Sequence, residues 1–184
     1  MEKSYLFTSE RLGFRNWQVA DIQKMAFINE DPSVMKYFPC TTSILQTENF
    51  IARMQRLFKE KGYCYFAVDR LDSGEFIGFL GLCYQNFEAE FSPFVDIGWR
   101  LAQNAWDKGY ATEGAKRCLQ FAFEELNIQS VKSTAPLANE RSIRVMKKIG
   151  MHPVQTFKHP RLKNEPDLEE CVLYEIDKNT FLSA

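Results

Sequence analysis

The sequence predicts a mixed α/β domain built around one central sheet. Some segments of the 184-residue chain alternate apolar and polar residues, which is the period of a strand. Other segments repeat apolar residues at the 3.6-residue period of a helix. The predicted order is one strand, two helices, three strands, a helix, a strand, a helix and two strands, which favours one mixed sheet with helices packed on it. We expect residues 1–184 to form a single domain, since this length suits one sizeable core.

The first part of the chain predicts one strand and two helices. The strand covers residues 10–15, ERLGFR, and the first helix covers residues 18–29. The dipeptide Asp31-Pro32 ends that helix, because the residue before a proline is biased away from helical backbone. Apolar residues at helical spacing predict a second helix over about residues 47–60.

The middle of the chain predicts three strands. The β-rich segments 63–68 and 76–84 flank the turn sequence LDSG at 71–74, which is typical of a hairpin. Residues 93–101, PFVDIGWRL, predict the third strand. Because successive side chains of a strand point to opposite faces, one face is apolar and the other carries Asp96, Gly98 and Arg100.

The last part predicts two helices and three strands. From residue 111 the apolar period becomes helical, and a strand follows over 130–136. The next helix begins near Asn139, whose side chain can cap it, and it ends at Gly150. Segments 152–158 and 170–176 predict the final two strands.

Composition excludes several classes of function. The net charge of −1 and the pI of about 6.2 provide no global basic field for nucleic acid or an anionic membrane. The five cysteines include no CxxC pair and the two histidines lack metal-ligand spacing, so neither a disulfide framework nor a metal site is predicted. The start lacks signal-peptide features, and apolar runs stay short of 18 residues. We expect a cytoplasmic protein.

The segment WDKGYATEG, residues 106–114, is the main candidate for a ligand site. It lies between the predicted strand 93–101 and the helix that follows, and the first turn of a helix has unpaired N–H groups and the positive end of the helix dipole. Gly109 permits a positive φ and close approach of an anion to the backbone. A plain loop and helix start remains the alternative. The motifs GxxxxGK[ST] and GxGxxG are both absent.

The stretch VDIGWRLAQNAWDKGYATEGAKR resembles motif A of the GNAT superfamily of acetyl-coenzyme A-dependent N-acetyltransferases. That motif has the form [Q/R]xxGx[G/A], and Gly109 and Ala111 match its two small residues. Trp106 at its first position resembles the branch of the RimJ/RimL ribosomal-protein acetyltransferases, as do the segments TSERLGFR, INEDPSVMKYFP and NERSIRVMKKIGM. The resemblance covers roughly residues 8–176. It implies a mostly antiparallel, twisted sheet of about six to seven strands with helices on both faces, splayed between the strands near 95–101 and 130–136.

The resemblance also implies a binding site for acetyl-CoA, with no metal. The pyrophosphate would lie on the backbone amides after Trp106, and the pantetheine arm would pair with the backbone of the preceding strand. Asn139 would contact that arm, and cationic side chains would meet the phosphates. The implied cofactor-binding residues are Trp99, Arg100, Leu101, Trp106, Asp107, Lys108, Gly109, Tyr110, Ala111, Thr112, Asn139, Ser142, Arg144 and Lys148, with Lys147 as a further cation.

Aminolysis of a thioester needs a base for the amine and a proton donor for the departing thiolate. Asp96 is the candidate base, with a salt bridge to Arg100 as the structural alternative. By resemblance Ser142 lies near the sulfur and can donate to it. The alternative is a first-turn serine that bonds to the backbone. Tyr110 could donate to the thiolate or pack on the cofactor. We assign Glu113 to stability, since a negative charge suits the start of a helix, and the cysteines to the core.

The acceptor end is less defined by the sequence. By resemblance, segments 31–46 and 160–168 flank its mouth. Five aromatic residues are candidates for lining it, namely Tyr37, Phe38, Phe87, Phe91 and Phe94. The acids of FEAEF, residues 87–91, could attract a cationic amine or belong to a solvated turn.

The sequence thus predicts an N-acetyltransferase that takes acetyl-CoA and a primary amine, either a small molecule or a protein N-terminus, in a ternary complex without an acyl-enzyme. The alternatives are a non-catalytic CoA-binding or protein-interaction module on the same fold, and a binder of some other phosphate. We expect no nucleic-acid or membrane partner, and a monomer or homodimer.

Overall fold

The computed structural model describes residues 4–183. An eight-stranded sheet forms its centre. The strands are β1 Phe7–Thr8, β2 Leu12–Arg15, β3 Tyr65–Arg70, β4 Phe76–Gln85, β5 Phe94–Leu101, β6 Ser130–Pro136, β7 His152–Lys158 and β8 Glu170–Asp177. The α-helices are α1 Asp21–Glu30, α2 Ile44–Lys61, α3 Tyr110–Gln120, α4 Glu140–Lys148, α5 Pro166–Glu169 and α6 Lys178–Leu182. A π-helical turn, Phe121–Glu125, extends α3, and short 3-10 helices cover Gln103–Ala105 and Pro160–Leu162.

The sheet has the order β1-β2-β3-β4-β5-β6-β8-β7 and is antiparallel except between β5 and β6. Those two parallel strands share the single pair Asp96↔Lys132 and then diverge. The predicted mixed fold, mostly antiparallel sheet and splay are therefore confirmed. The sheet has one strand more than the upper estimate, because the two-residue β1 pairs with β2. So short a strand has no periodicity that a sequence pattern can detect.

Local signals place the helix ends. Ser43 accepts from the Gln46 N–H while the Gln46 side chain accepts from the Ser43 N–H, and this capping box starts α2 three residues earlier than predicted. Gly62 ends α2 with φ of 77°. The Asn139 side chain caps α4 by accepting from the Ser142 N–H at 3.1 Å, as the sequence indicates.

Helices cover both faces of the sheet. Helix α3 packs so closely that a Cβ on Gly114 would lie 2.6 Å from the Leu80 side chain, which explains that glycine. On the other face, α1 packs against the sheet through buried Arg15 of β2. The Arg15 guanidinium pairs with Asp21 of α1 at 2.6 Å and with Asp69 of β3 at 2.7 Å. A buried cation is tolerated here because two carboxylates compensate its lost hydration.

Within residues 4–183, every helix is too short or too polar to cross a bilayer.

Candidate functional site

A cleft of about 620 Å³ begins at the N-terminus of α3, passes the point where β5 and β6 diverge, and continues below the α1–α2 segment. Its lining includes most of the predicted site residues. These are Asp96, Trp99, Arg100, Leu101, Trp106, Asp107, Gly109, Tyr110, Ala111, Thr112, Asn139, Ser142, Arg144 and Lys148. Lys108 and Lys147 do not line it.

The N-terminus of α3 forms one end of the cleft. Gly109 is its N-cap residue, with φ of 84° and without a side chain to cap the helix. Among residues 4–183, no acceptor is found for the N–H groups of Gly109, Tyr110, Ala111 and Thr112. First-turn amides that the chain leaves unpaired suit an anionic group such as a pyrophosphate. This end therefore fits the phosphates of acetyl-CoA.

Cations surround that end. Arg144 and Lys148 of α4 line the cleft, together with Arg141, which the sequence analysis missed. The Arg141 guanidinium lies over the Trp106 ring at 4.8 Å and pairs with Asp107 at 3.3 Å. The segment NERSIRVMKKIGM could have indicated Arg141, because this residue lies in the first turn of α4 beside Ser142, another residue of the cleft lining. Lys108 does not line the cleft, and its carbonyl accepts from Arg11 at 3.0 Å; the contact of its side chain with a phosphate stays a prediction.

Fewer backbone groups of β5 are free to pair with a ligand than the sequence predicts. A Cβ on Gly78 would overlap the Arg100 carbonyl oxygen, so the Arg100 backbone groups face β4 rather than the divergence. The alternating residues face β6, since the Ile97 carbonyl accepts from Ser133 Oγ at 2.9 Å. The Leu101 carbonyl already accepts from the Trp106 indole at 2.8 Å. Trp99 therefore offers the unpaired N–H and C=O for a strand-like ligand, and the predicted backbone role of Arg100 is not supported.

Asp96 lies buried at the centre of the cleft, with 7% of its surface exposed. Its carboxylate accepts a short hydrogen bond from the Tyr65 hydroxyl, and the backbone of Thr134 also bonds to it. Burial raises the pKa of Asp96 from 3.8 to about 7, although both hydrogen bonds act to lower it. The expected alternative, a salt bridge to Arg100, does not form. Tyr65 was missed because nothing in the sequence links it to a residue 31 positions away.

Ser142 and Tyr110 differ in their surroundings. Within the described chain the Ser142 hydroxyl makes no hydrogen bond, so the structural alternative of a bond to backbone is not observed. Tyr110 is buried, and the Arg11 guanidinium stacks over its ring at 4.7 Å. This arrangement favours packing over proton donation for Tyr110. Arg11 also pairs with Glu113 at 2.7 Å, which agrees with a stabilising role for that carboxylate.

The Arg100 side chain points towards α1 and α2. One Nη donates to Asn29 Oδ1 at 2.7 Å, and the guanidinium lies 4.1 Å from the Phe38 ring and 5.5 Å from the Phe79 ring. Burial lowers the pKa of Arg100 to about 10. Asn29 lies in the last turn of α1, and no sequence pattern links it to Arg100.

Aromatic residues line the far end of the cleft. Tyr37, Phe38 and Phe87 are among them, as predicted. Phe91 and Phe94 do not line the cleft; Phe91 packs against Phe87 and Phe157, and Phe94 packs against Phe87 and Phe91. The acids Glu88 and Glu90 line a different depression, which adjoins the cleft at Phe87, so their attraction of a cationic amine stays a prediction.

Four cysteines are buried core residues, but Cys40 is exposed, contrary to the expectation. Burial raises the pKa of the Cys83 thiol to about 12 and that of Cys171 to about 11. The thiols of Cys64 and Cys118 are also raised by burial. Raised thiol pKa values oppose nucleophilic catalysis, because the thiolate is the reactive form.

Comparisons with known proteins show the family of this chain, and the splayed sheet agrees with the fold of its structural neighbours. The family model for the acetyltransferase (GNAT) domain matches residues 11–152. The chain belongs to this family. It is 33% identical over 128 residues to YkkB of Bacillus subtilis, covering 70% of this chain and 73% of that protein. It is 32% identical over 154 residues to the N-acetyltransferase YnaD of the same organism, covering 82% and 85%. This GNAT protein is an N-acetyltransferase.

Solved structures share the fold. A GNAT-family acetyltransferase from Bacillus anthracis aligns with a TM-score of 0.79 at 27% identity, covering 94% of this chain and 98% of that one. Spermidine N-acetyltransferase from Vibrio cholerae, solved in complex with CoA and spermine, aligns with a TM-score of 0.72 at 15% identity, covering 93% and 98%. A ribosomal-protein-S5-alanine acetyltransferase from Vibrio fischeri aligns with a TM-score of 0.74 at 18% identity, covering 94% and 96%. At such identities the last two show the fold alone.

Proposed function

We propose that this enzyme transfers the acetyl group of acetyl-CoA to a primary amine by direct attack in a ternary complex. The observation that carries the proposal is Asp96. It is a buried carboxyl whose pKa is raised to about 7, and it lies in a cleft that leads from an uncapped helix terminus. A base with a pKa near the working pH is suited to removing a proton from an amine.

Different parts of the cleft would bind different parts of acetyl-CoA. The first-turn amides of α3 from Gly109 to Thr112, with Arg141, Arg144 and Lys148, would hold the phosphates. The Trp99 backbone would pair with the pantetheine arm, as an added strand pairs with a free edge. When bound, acetyl-CoA supplies the electrophilic thioester.

Three side chains would interact with the groups that lose or gain a proton in the reaction. The ionised form of Asp96 accepts a proton from the incoming amine, which makes the amine nucleophilic. The Tyr65 hydroxyl holds that carboxylate in place through its short hydrogen bond. The unbonded Ser142 hydroxyl, at the start of α4, is the donor available for the leaving sulfur. The buried cysteines take no part, since burial raises the pKa of each thiol.

The proposal extends to the finer assignments. We assign the chain to the RimJ/RimL-like branch on the quoted sequence segments and the fold shared with the Vibrio fischeri enzyme. We place it in the cytoplasm, where its five unpaired cysteines would stay reduced. We also propose that residues 1–184 act as one domain in a monomer or homodimer.

A thiol-release screen tests the proposed function. Acetyl-CoA and the protein are incubated with amines, amino acids and N-terminal peptides, and acetylated products are identified by mass spectrometry. The proposal expects amine-dependent release of CoA with formation of an N-acetyl product. Binding of acetyl-CoA without turnover over the whole panel would contradict it and favour a non-catalytic CoA-binding module.

A further inference from the structure

Charge is unevenly distributed along the cleft. Asp107 and three cations, Arg141, Arg144 and Lys148, lie at the end proposed for the cofactor phosphates. Towards α1 and α2, the cleft carries Arg53, Arg100 and Arg161 but only one carboxylate, Asp96. Glu88 and Glu90 line an adjoining depression rather than the cleft itself. The acceptor side is therefore cationic, which disfavours a polyamine and favours an acceptor with an anionic group.

Arg100 is the most buried of these three cations, and no carboxylate of the described chain pairs with it. Its Nε is shielded from solvent and makes no hydrogen bond, and its one bond is to the neutral Asn29. Within residues 4–183 it forms no ion pair, whereas buried Arg15 on the same face of the sheet has two carboxylate partners. Arg15, which has a structural role, is thus paired with carboxylates, whereas Arg100 has no anionic partner within residues 4–183. A bound carboxylate would supply that partner.

Arg53 and Arg161 approach the same region from opposite sides. Arg53 projects from α2, with its guanidinium 5.8 Å from the Phe50 ring, and Arg161 follows β7, with its guanidinium 5.7 Å from the Phe87 ring. Both lower the pKa of the Cys83 thiol, which places both charges near the β4 residue that pairs with Asp96. Neither forms an ion pair within the described chain.

Aromatic rings surround the three guanidinium groups. Phe38 and Phe79 contact Arg100, and Tyr65 stacks on Phe79 with ring centroids 5.1 Å apart. Such faces suit an apolar or aromatic body. A ligand that fills this end would present its amine to Asp96, its apolar part to the rings and its anion to the arginines.

We propose that the acceptor is a primary amine that also carries a carboxylate, bound by Arg53, Arg100 and Arg161 on the α1–α2 side of the cleft. This inference rests on the proposed function for the amine, but the carboxylate site can be tested without any acetyl transfer. Phenylalanine combines the required groups and serves as the probe.

Binding is measured first, by NMR titration of the protein saturated with CoA. The ligands are 3-phenylpropionate, which has the carboxylate without the amine, and 2-phenylethylamine, which has the reverse. We expect 3-phenylpropionate to bind more tightly. R53Q and R161Q, both at exposed positions, should each weaken its binding about tenfold or more, because hydrogen bonds to charged groups are the strong ones. R56Q, on the same helix but outside the cleft lining, is the matched control.

Arg100 is tested with R100L and R100K, and circular dichroism confirms that each variant is folded before titration. Loss of 3-phenylpropionate binding in R100L, with partial retention in R100K and unchanged affinity for CoA, is the expected result. Binding of 3-phenylpropionate that R53Q, R161Q and R100L all leave unchanged would overturn the proposal. So would its failure to bind at roughly 10 mM.

Transfer is measured second, as kcat/KM for phenylalanine, 2-phenylethylamine and spermidine. Phenylalanine is expected to be the best acceptor, with its advantage over 2-phenylethylamine lost in R53Q. A preference for spermidine would overturn the proposal. Arginine-dependent binding of 3-phenylpropionate without transfer to any amine would support the carboxylate site and contradict the proposed acetyltransfer, so the two failures are distinguishable.

Discussion

Replacing Asp96 with asparagine tests the buried carboxyl through the pH dependence of stability. Burial raises the pKa of Asp96 from 3.8 to about 7, so the folded protein binds this proton more tightly than the unfolded chain does. The stabilisation that this proton provides is fully present below pH 3.8 and is lost as the pH rises through 7. At 1.36 kcal/mol per pH unit, the shift corresponds to about 4 kcal/mol, of which about 3 kcal/mol falls between pH 5 and pH 8.

Asparagine keeps the shape of the side chain but does not titrate. The free energy of unfolding of D96N, measured by urea denaturation, should therefore rise relative to wild type by about 3 kcal/mol from pH 5 to pH 8. Comparison of the two pH values removes any constant effect of the lost hydrogen bond. D107N is the matched control, because the Asp107 side chain is 80% exposed in the same cleft. A D96N-minus-wild-type difference that is the same at both pH values would refute the reasoning.

The same substitution has a kinetic consequence. As the general base, Asp96 should contribute an ascending limb near pH 7 to kcat/KM, below the limb of the amine itself at roughly pH 9 to 10. D96N should remove the limb near pH 7 and lower kcat by about 100-fold or more, with little change in affinity for acetyl-CoA. An unchanged kcat would reject the base role.

Further substitutions test other parts of the structure. G109V should abolish acetyl-CoA binding in calorimetry, because its side chain would cover the amides and strain a φ of 84°, whereas G150V, strained at a φ of 88° outside the cleft, should lose stability and keep affinity. R15L should lower the free energy of unfolding by about 3–5 kcal/mol in urea denaturation, because it leaves two buried carboxylates without their cation. S142A should lower kcat about tenfold and leave acetyl-CoA affinity unchanged if its hydroxyl donates a hydrogen bond that stabilises the developing charge on the leaving sulfur.

Each of these results has a contrary outcome. Equal loss of acetyl-CoA affinity in G109V and G150V would mean that backbone strain, rather than the amide site, explains the effect. A loss below about 1 kcal/mol in R15L would show that the ion pairs are solvated. A wild-type kcat for S142A in steady-state assays would show that the Ser142 hydroxyl does not stabilise the leaving sulfur.

The sequence predicts what depends on local pattern. The seven longer strands, the turn at 71–74, the Asn139 cap and the alternation of faces along β5 follow from periodicity and capping chemistry. The splay between β5 and β6 was predicted from the family resemblance, and so were most of the residues that line the cleft. The two-residue β1 and the early start of α2 lie below what periodicity can resolve.

Contacts between distant residues could not be predicted. The bonds of Tyr65 to Asp96 and of Arg100 to Asn29 join residues 31 and 71 positions apart, and no pattern along one segment specifies them. Which charged side chains face the cleft could not be predicted for the same reason. Lys108 and the acids of 87–91 looked suited to ligands, yet which side of a loop faces the cleft is decided by tertiary packing.

Transfer of acetyl from acetyl-CoA to an amine requires first that the cleft at Gly109 binds acetyl-CoA, and titration calorimetry with acetyl-CoA measures this binding directly. We expect one molecule bound per chain with a Kd of tens of micromolar or tighter, and no binding by G109V. Absence of heat of binding in the wild-type protein at those concentrations, or equal binding by wild type and G109V, would contradict it.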